Sequence, residues 1–179
     1  DWSDITILGI SRLEDTRKQI GNYFTDQLEK LGFAVNNRLW ERSKAIVTAF
    51  YSNPSDLVWH FYTGGWLNSQ AAKYQYWAMP QMYAPFYGFM PGILSEDLWN
   101  YENPRLDELG KQVYNGQLQS EEQYWEYNQE MCRIGVKESV RLFLMDSIDF
   151  YPYNRQAVKS FATDVVTGYS SVFSPRTIK

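Results

Sequence analysis

A strand, a helix and a second strand are predicted within the first 40 residues, and this succession constrains the fold more than any other feature. Residues 5–10 form a short apolar run that predicts a buried strand. Apolar residues then recur at helical spacing over residues 20–31, and Gly32 is the expected end of that helix. The chain from Phe33 onward opens another strand. Such a unit predicts two parallel strands joined by a right-handed crossover.

The next segment repeats the alternation of helix and strand. One-sided apolar spacing predicts a helix over residues 43–51, and an apolar run predicts a third strand over residues 57–61. The chain then turns at Gly64-Gly65, where two glycines allow backbone angles with positive φ. We therefore expect an α/β fold with a mixed sheet flanked by helices.

Aromatic side chains are unusually frequent, and many of them fall in one segment. Fourteen Tyr, ten Phe and seven Trp make up 17% of the chain, which is more than a core of this size requires. Residues 67–101 hold many of these rings among prolines and glycines, and no helix or strand period persists there. Long segments of this kind usually carry function or an interface, so we expect rings at a surface or in a cleft.

Two further helices and a strand are predicted in the second half of the chain. Asn103 and Pro104 supply the N-cap and first residue of one helix, and a capping box beginning at Ser120 starts the next. Residues 140–145 form an apolar run, interrupted only by Arg141, that predicts a buried strand. We expect residues 1–179 to form a single α/β lobe, with the aromatic-rich excursion at 67–101 inserted in it.

Residue patterns of the common enzyme classes are mostly absent from the sequence. The single histidine, His60, falls on a predicted strand, and the single cysteine, Cys132, falls in a helix pattern that favours a small core residue. One histidine and one cysteine do not form a metal-ligand cluster, and no glycine-rich phosphate loop is present. Asp146 and Asp149 could serve as paired carboxylates for glycoside chemistry. We expect no catalytic residue, no metal and no cofactor.

Charge and hydropathy argue against two classes of partner. The net charge of −4 and the pI of about 5.1 do not give the positive field that nucleic-acid binding needs. No run of 18 apolar residues is present to cross a membrane, and no signal peptide is recognised. Because the chain begins at Asp1 and enters a strand almost at once, we expect a fragment or a processed chain.

The order of these signals resembles one protein family over nearly the whole chain. The matching stretches are residues 28–35 (Leu-Glu-Lys-Leu-Gly-Phe-Ala-Val), 55–58 (Ser-Asp-Leu-Val) leading to Gly65-Trp66, 103–109 (Asn-Pro-Arg-Leu-Asp-Glu-Leu), 120–134 with Glu121-Glu122-Gln123 near its start, and 140–144. In this order they resemble the C-terminal lobe of the extracellular solute-binding proteins of ABC transporters, family 5 (the oligopeptide, dipeptide and nickel type).

The resemblance implies a fold, a function and partners. The fold is the C-terminal lobe of a periplasmic-binding-protein-like, type II (Venus-flytrap) architecture, and the N-terminal lobe is missing from these 179 residues. The function is that of a non-enzymatic component of an ABC importer. It captures an oligopeptide or similar extended solute outside the cytoplasm, in the periplasm or at the outer face of the cell membrane, and delivers it to the membrane permease.

The resemblance also implies which residues contact the ligand. Trp66 is expected to pack its ring on the ligand, with Asn68 and Ser69 as hydrogen-bonding groups. Tyr62 precedes the turn and Trp40 follows the second strand, where similar proteins present side chains to the cleft. The turn continues Leu-Asn-Ser without a carboxylate, and neutral groups beside rings suit an oligosaccharide as well as a peptide held by its backbone.

Three alternatives are left open by the sequence. The chain could be an oligosaccharide-binding member of the same family. It could be a carboxylate-based hydrolase that uses Asp146 and Asp149. It could also be a free-standing carbohydrate-binding module with exposed Trp and Tyr rings.

Overall fold

The computed structural model describes residues 2, 4–66, 78–145, 150 and 152–162. In chain order the elements are β1 (Thr6–Arg12), α1 (Arg17–Lys30), β2 (Ala34–Trp40), α2 (Arg42–Ile46) with a π-helical turn (Val47–Tyr51), a 3₁₀ turn (Pro54–Asp56), β3 (Phe61–Tyr62), α3 (Ala78–Tyr83), a 3₁₀ turn (Glu96–Leu98), α4 (Pro104–Tyr114) and α5 (Glu121–Glu138).

The three described strands form one parallel sheet in the order β2-β1-β3. β1 pairs with β2 from Thr6 opposite Ala34 to Arg12 opposite Trp40, whereas β3 pairs with β1 only at two positions. The predicted strand–helix–strand unit and the α/β class are therefore confirmed. Every strand pair in the described ranges is parallel, so these residues hold no antiparallel strand of the expected mixed sheet.

Helix α1 covers one face of the sheet at very close range. A β-carbon added at Gly21 would lie 1.8 Å from Ser11 Oγ, so only glycine allows this approach of helix to strand. Ser11 is fully buried there and its hydroxyl donates to Asn37 Oδ1 at 2.8 Å. On the same face, the rings of Phe24 and Phe61 meet edge to face at 4.9 Å.

The other face of the sheet is covered by α2 and its π-helical turn. Ala45, Ala49 and Phe50 are buried there, as the one-sided apolar spacing predicts. Ile10 on β1 is fully buried in this layer. The sheet is thus enclosed by helical residues on both faces, which is the usual condition of a parallel sheet.

Helix ends follow the local chemistry of the sequence. Gly32 has φ of 95° after α1, and the amide of Phe33 donates to the carbonyl of Leu28, which closes the helix. The Asn103 side chain accepts from the amide of Leu106 at the start of α4. Ser120 does the same for Gln123 at the start of α5. These three predictions are confirmed.

The third strand is shorter than the prediction over residues 57–61. Leu57 is left-handed with φ of 48°, so the chain before β3 is not extended. The imidazole Nδ1 of His60 accepts from the amide of Leu8 at 2.8 Å, which places a side chain where a strand would offer a carbonyl. Gly64 and Gly65 are not among the glycines with positive φ, so the turn after β3 does not use the backbone freedom that glycine allows there.

A second apolar core lies between α3, α4 and α5. Its buried residues are Tyr83, Leu106, Leu109, Val113 and Met131. Part of the aromatic-rich excursion packs on this core: Pro80 and Tyr83 of α3 are buried, and Met79, Met82 and Tyr101 lie against the cluster. The excursion is therefore not an open loop over residues 78–90.

The buried strand predicted over residues 140–145 is wrong. The segment has no regular secondary structure, and its five apolar side chains are 45–67% exposed. Arg141, the only charge in the run, is the residue that turns inward. The chain turns at Ser139, the residue after α5, which has φ of 53°. The Arg141 guanidinium then donates to the carbonyls of Met82 in α3 and of Phe89.

Candidate functional site

The carboxyl ends of the three strands meet at one edge of the sheet. Arg12 ends β1, Trp40 ends β2 and Tyr62 ends β3. The chain leaves β1 toward β2 on one side and later returns to place β3 on the other side of β1. In open α/β sheets, the crevice beside such a reversal of strand order is where ligands bind. The structure thus brings Tyr62 to this position, and Trp66 follows it closely in the chain.

Four rings form a continuous group beside this edge, and we call Phe50, Tyr62, Trp66 and Phe89 the aromatic cluster. Phe50 meets Tyr62 edge to face at 5.5 Å and Phe89 at 5.3 Å. Phe89 in turn meets Trp66 at 6.2 Å. Tyr62 and Trp66, both predicted as ligand contacts, are therefore linked through Phe50 and Phe89. Phe89 belongs to the aromatic-rich segment 67–101, whose rings were expected at a surface or in a cleft.

Arg141 lies against the aromatic cluster. Its guanidinium stands 4.5 Å from the centre of the Trp66 ring, and it donates to the carbonyls of Met82 and Phe89. Burial lowers the pKa of Arg141 to about 10, against opposing contributions from Tyr83 and Tyr62. Among the described residues, no carboxylate lies within ion-pair distance of this cation. Sequence reasoning did not assign Arg141 to the site, although a lone charge in an apolar run was the available signal.

Arg12 is a second cation near Tyr62. The residue is 6% exposed, its Nε donates to Glu14 at 2.8 Å, and its backbone amide donates to Thr63 Oγ at 2.9 Å. Burial acts to lower the pKa of Arg12, but the interactions with Glu14 and Tyr62 outweigh it, and the pKa is raised. Tyr62 is therefore electrostatically coupled to both Arg12 and Arg141.

The glycine pair after β3 lies close to a further arginine. A β-carbon added at Gly65 would lie 3.4 Å from Arg17 Nη1, so the guanidinium passes beside the turn. Arg17 forms a forked ion pair with Asp15, and these hydrogen bonds lower the pKa of Asp15 to about 2. The edge of the sheet is thus lined by arginines whose positions are fixed by neighbouring carboxylates or carbonyls.

Trp40 does not join the aromatic cluster through any described ring contact. Arg38 and Lys44 stand over its ring, at 4.6 and 4.2 Å from the centroid. This cation–π arrangement occupies ring surface that a ligand would otherwise use. Asn68 and Ser69, the two predicted hydrogen-bonding residues, lie outside the described residues, as do Asp146 and Asp149.

The two residues with the most reactive side chains are placed in ordinary surroundings. His60 is exposed and serves the β1 backbone through Nδ1, in keeping with a hydrogen-bonding role. Cys132 is exposed on α5 with its Sγ 3.8 Å from Met79 Sδ, so the prediction of a core position is wrong. Burial by its neighbours nevertheless raises the pKa of the Cys132 thiol, which disfavours the reactive thiolate.

A shallow groove of about 280 Å³ lies elsewhere on the surface, lined by residues 54, 55, 57 and 97–100. It contains none of the predicted site residues.

Within the described ranges, no group of three or more His, Cys, Asp or Glu side chains is arranged to hold a metal ion. No helix in the same part of the chain combines the length and apolar character needed to cross a membrane.

Comparison with protein-family models, with curated proteins and with solved structures found no match to this chain.

Proposed function

We propose that this chain is one α/β lobe of an extracytoplasmic solute-binding protein, of the type that serves an ABC importer and captures an oligopeptide or similar extended solute. One observation carries the proposal. The aromatic cluster lies beside the carboxyl edge of the parallel sheet, next to the reversal of strand order between β1 and β3. This is the position at which α/β folds hold ligands.

Such a lobe would hold its solute through ring surface and fixed polar groups. Tyr and Trp rings provide contact area at a small cost in side-chain entropy. The cation–π contact with Arg141 and the edge contact with Phe89 hold the Trp66 ring in one orientation, so little freedom is lost on binding. A second lobe would close over the first by a hinge motion and complete the contacts. Capture of this kind leaves the solute chemically unchanged.

The proposal can be tested with the tryptophan indole N–H signals in a nitrogen–proton NMR spectrum of the ¹⁵N-labelled chain. The seven tryptophans give separate probes, and Trp66→Phe and Trp125→Phe variants assign two of them. Trp125 lies on α5, where its indole donates to Glu121. We expect millimolar oligoalanine peptides to shift the Trp66 signal and to leave the Trp125 signal in place.

Two further measurements distinguish the proposed peptide-binding lobe from an oligosaccharide-binding protein and from a hydrolase. A shift of the Trp66 signal by maltotriose and not by oligoalanine would support an oligosaccharide-binding protein instead. Mass spectrometry of the peptide after incubation should recover it intact, whereas cleaved peptide would favour a hydrolase. If neither probe moves the Trp66 signal while the spectrum shows a folded chain, the proposed site is wrong.

A further inference from the structure

Among the described residues, four buried side-chain polar atoms have no hydrogen-bond partner, and one of them is the indole nitrogen of Trp99. The other three are oxygen atoms of residues in or beside the apolar core between α3, α4 and α5. They are the hydroxyls of Tyr83 and Tyr101 and the Oδ1 atom of Asp107. Buried polar atoms in native proteins almost always have a partner, so each exception calls for a physical explanation. Tyr83 and Asp107 both interact electrostatically with Tyr101, which groups the three oxygen atoms into one polar site.

The packing around these atoms is tight. Tyr83 is 1% exposed, and a β-carbon added at Gly135 of α5 would lie only 2.8 Å from its hydroxyl oxygen. Tyr101 packs on the same buried cluster as Tyr83. Asp107 stands in the first turn of α4, between the fully buried Leu106 and Leu109 of the cluster in sequence. Asp107 is half-buried, and its Oδ1 atom is shielded from solvent beside this core.

Charged and titratable groups face this site from every side. On the α4 side, Glu102 opposes a negative charge on Asp107 and Lys111 favours it. From α5, Glu138 raises the pKa of Tyr101, and Cys132 raises the pKa of Tyr83. Arg141, in the chain after α5, lowers the pKa of Tyr83. Tyr83 and Asp107 both raise the pKa of Tyr101. Lys111 is thus the only cation that is coupled directly to the Asp107 carboxyl group among the described residues.

A carboxylate in this environment is more costly than a carboxylic acid. The ionised form only accepts hydrogen bonds, and burying it without partners carries a large desolvation cost. The protonated form carries no charge and gains an O–H that can donate to a nearby oxygen. We propose that Asp107 is a proton-binding site of the helical layer, which holds its proton at mildly acidic pH and loosens the packing of α4 against α3 and α5 when it releases it.

The direction of the effect follows from the two protonation equilibria. Burial, and then Glu102, raise the pKa of Asp107 from 3.8 to about 6 in the folded chain. Between these values the folded chain binds more protons than the unfolded chain. The contribution to stability is fully present below the unfolded value and is lost as the pH rises through about 6. Tyr101, whose pKa burial raises to about 12, stays protonated throughout this range.

The experiment compares the pH dependence of thermal unfolding in three chains: the wild type, Asp107→Asn and the matched control Asp26→Asn. Asp26 is exposed on α1, far along the chain from the helical layer. We expect the midpoint of the wild type to fall as the pH rises through about 6. Asp107→Asn should lose this fall, and Asp26→Asn should keep it. An Asp107→Asn chain that keeps the wild-type slope would overturn the proposal.

A direct titration keeps the proposal testable if the variant does not fold. The side-chain carboxyl carbons of the aspartates in the ¹³C-labelled wild type report their protonation by NMR. A buried aspartate that titrates near pH 6 supports the proposal. If every aspartate has a pKa at or below 3.8, the value of an unfolded chain, the proton-binding site does not exist. Neither measurement involves a solute, so the outcome is independent of the function proposed above.

Discussion

The guanidinium of Arg141 lies 4.5 Å from the centre of the Trp66 ring and also donates to the backbone carbonyls of Met82 and Phe89. One side chain thus joins the turn after β3, the chain around α3 and the end of α5. Through Phe89 and Phe50 the same contacts reach the sheet. Arg141 therefore helps to connect the sheet with the helical layer at the candidate site, beside the ring contact of Phe50 with Phe89.

Arg141→Met should destabilise the chain substantially. Methionine has a similar length but leaves two carbonyls without their donor and removes the cation from the Trp66 ring. Loss of the partner of a partly buried carbonyl costs about 1–3 kcal/mol, and two carbonyls are affected, so we expect the free energy of unfolding to fall by at least about 2 kcal/mol. Arg133→Met is the matched control, because Arg133 is exposed on α5, and it should change stability by less than about 0.5 kcal/mol. Urea denaturation of both variants checks this, and equal effects would contradict the connecting role of Arg141.

Gly21→Ala should destabilise the chain although it replaces glycine inside a helix. In an ordinary helix the change stabilises by about 1 kcal/mol. Here the new methyl group would lie 1.8 Å from Ser11 Oγ, so α1 must move away from the sheet. We expect a net loss of about 1–3 kcal/mol, the usual range for overpacking.

The double variant Gly21→Ala with Ser11→Gly isolates the steric cause of that loss. Removing the serine side chain gives the methyl group its space, so the two changes together should cost less than the sum of each alone. Asn22→Ala, at an exposed position on the same helix, controls for helix propensity. Additive effects in the double variant would show that the contact between α1 and β1 is not the cause.

Leu142→Ala tests the exposed segment against the sequence prediction of a buried strand. Leu142 is 67% exposed, so its truncation should change the free energy of unfolding by less than about 0.5 kcal/mol. Leu109→Ala is the matched control in the buried cluster, where the same substitution should cost about 2–5 kcal/mol. Chemical denaturation of the two variants is the measurement. A Leu142 variant as unstable as the Leu109 variant would restore the buried-strand prediction.

Local signals in the sequence predicted most of the elements because their causes are local. Asn103 and Ser120 cap helices through their own side chains, and Gly32 ends α1 through its own backbone conformation. The parallel pairing of β1 and β2 follows from the short helical crossover between them. The helix ends depend on residues within a few positions of one another, and the β1–β2 pairing depends only on the single helix between the two strands, so one sequence is enough to predict them.

Features that depend on distant partners could not be predicted in the same way. Arg141 turns inward because carbonyls at Met82 and Phe89, more than fifty residues earlier, accept its hydrogen bonds. β3 is short because the imidazole of His60 replaces a strand contact with Leu8. No local pattern encodes either partner, and apolar residues after Arg141 therefore suggested a strand that the chain does not form.

The candidate site was predicted in part for the same reason. Tyr62 and Trp66 come together because both flank the end of β3, which the sequence placed nearly correctly. Phe50 and Phe89 complete the aromatic cluster from two separate segments of the chain. Trp40 was expected just after the second strand and is the last residue of β2, but the cations of Arg38 and Lys44 occupy its ring. The sequence therefore predicted where each aromatic residue lies along its strand, but it did not predict which side chains surround each ring.

Arg17→Met should return the titration of Asp15 toward its ordinary range. Hydrogen bonds from Arg17 are the largest cause that lowers the pKa of Asp15 to about 2, from its ordinary value of 3.8. Because the folded value is the lower one, the ion pair stabilises the chain above pH 3.8, and this contribution is lost as the pH falls toward 2. Carboxyl-carbon NMR should show the Asp15 midpoint rise in Arg17→Met. Lys18→Met, which removes a neighbouring exposed cation, should leave it unchanged. A midpoint that rises equally in both variants would mean that general charge, and not the forked pair with Arg17, sets the acidity of Asp15.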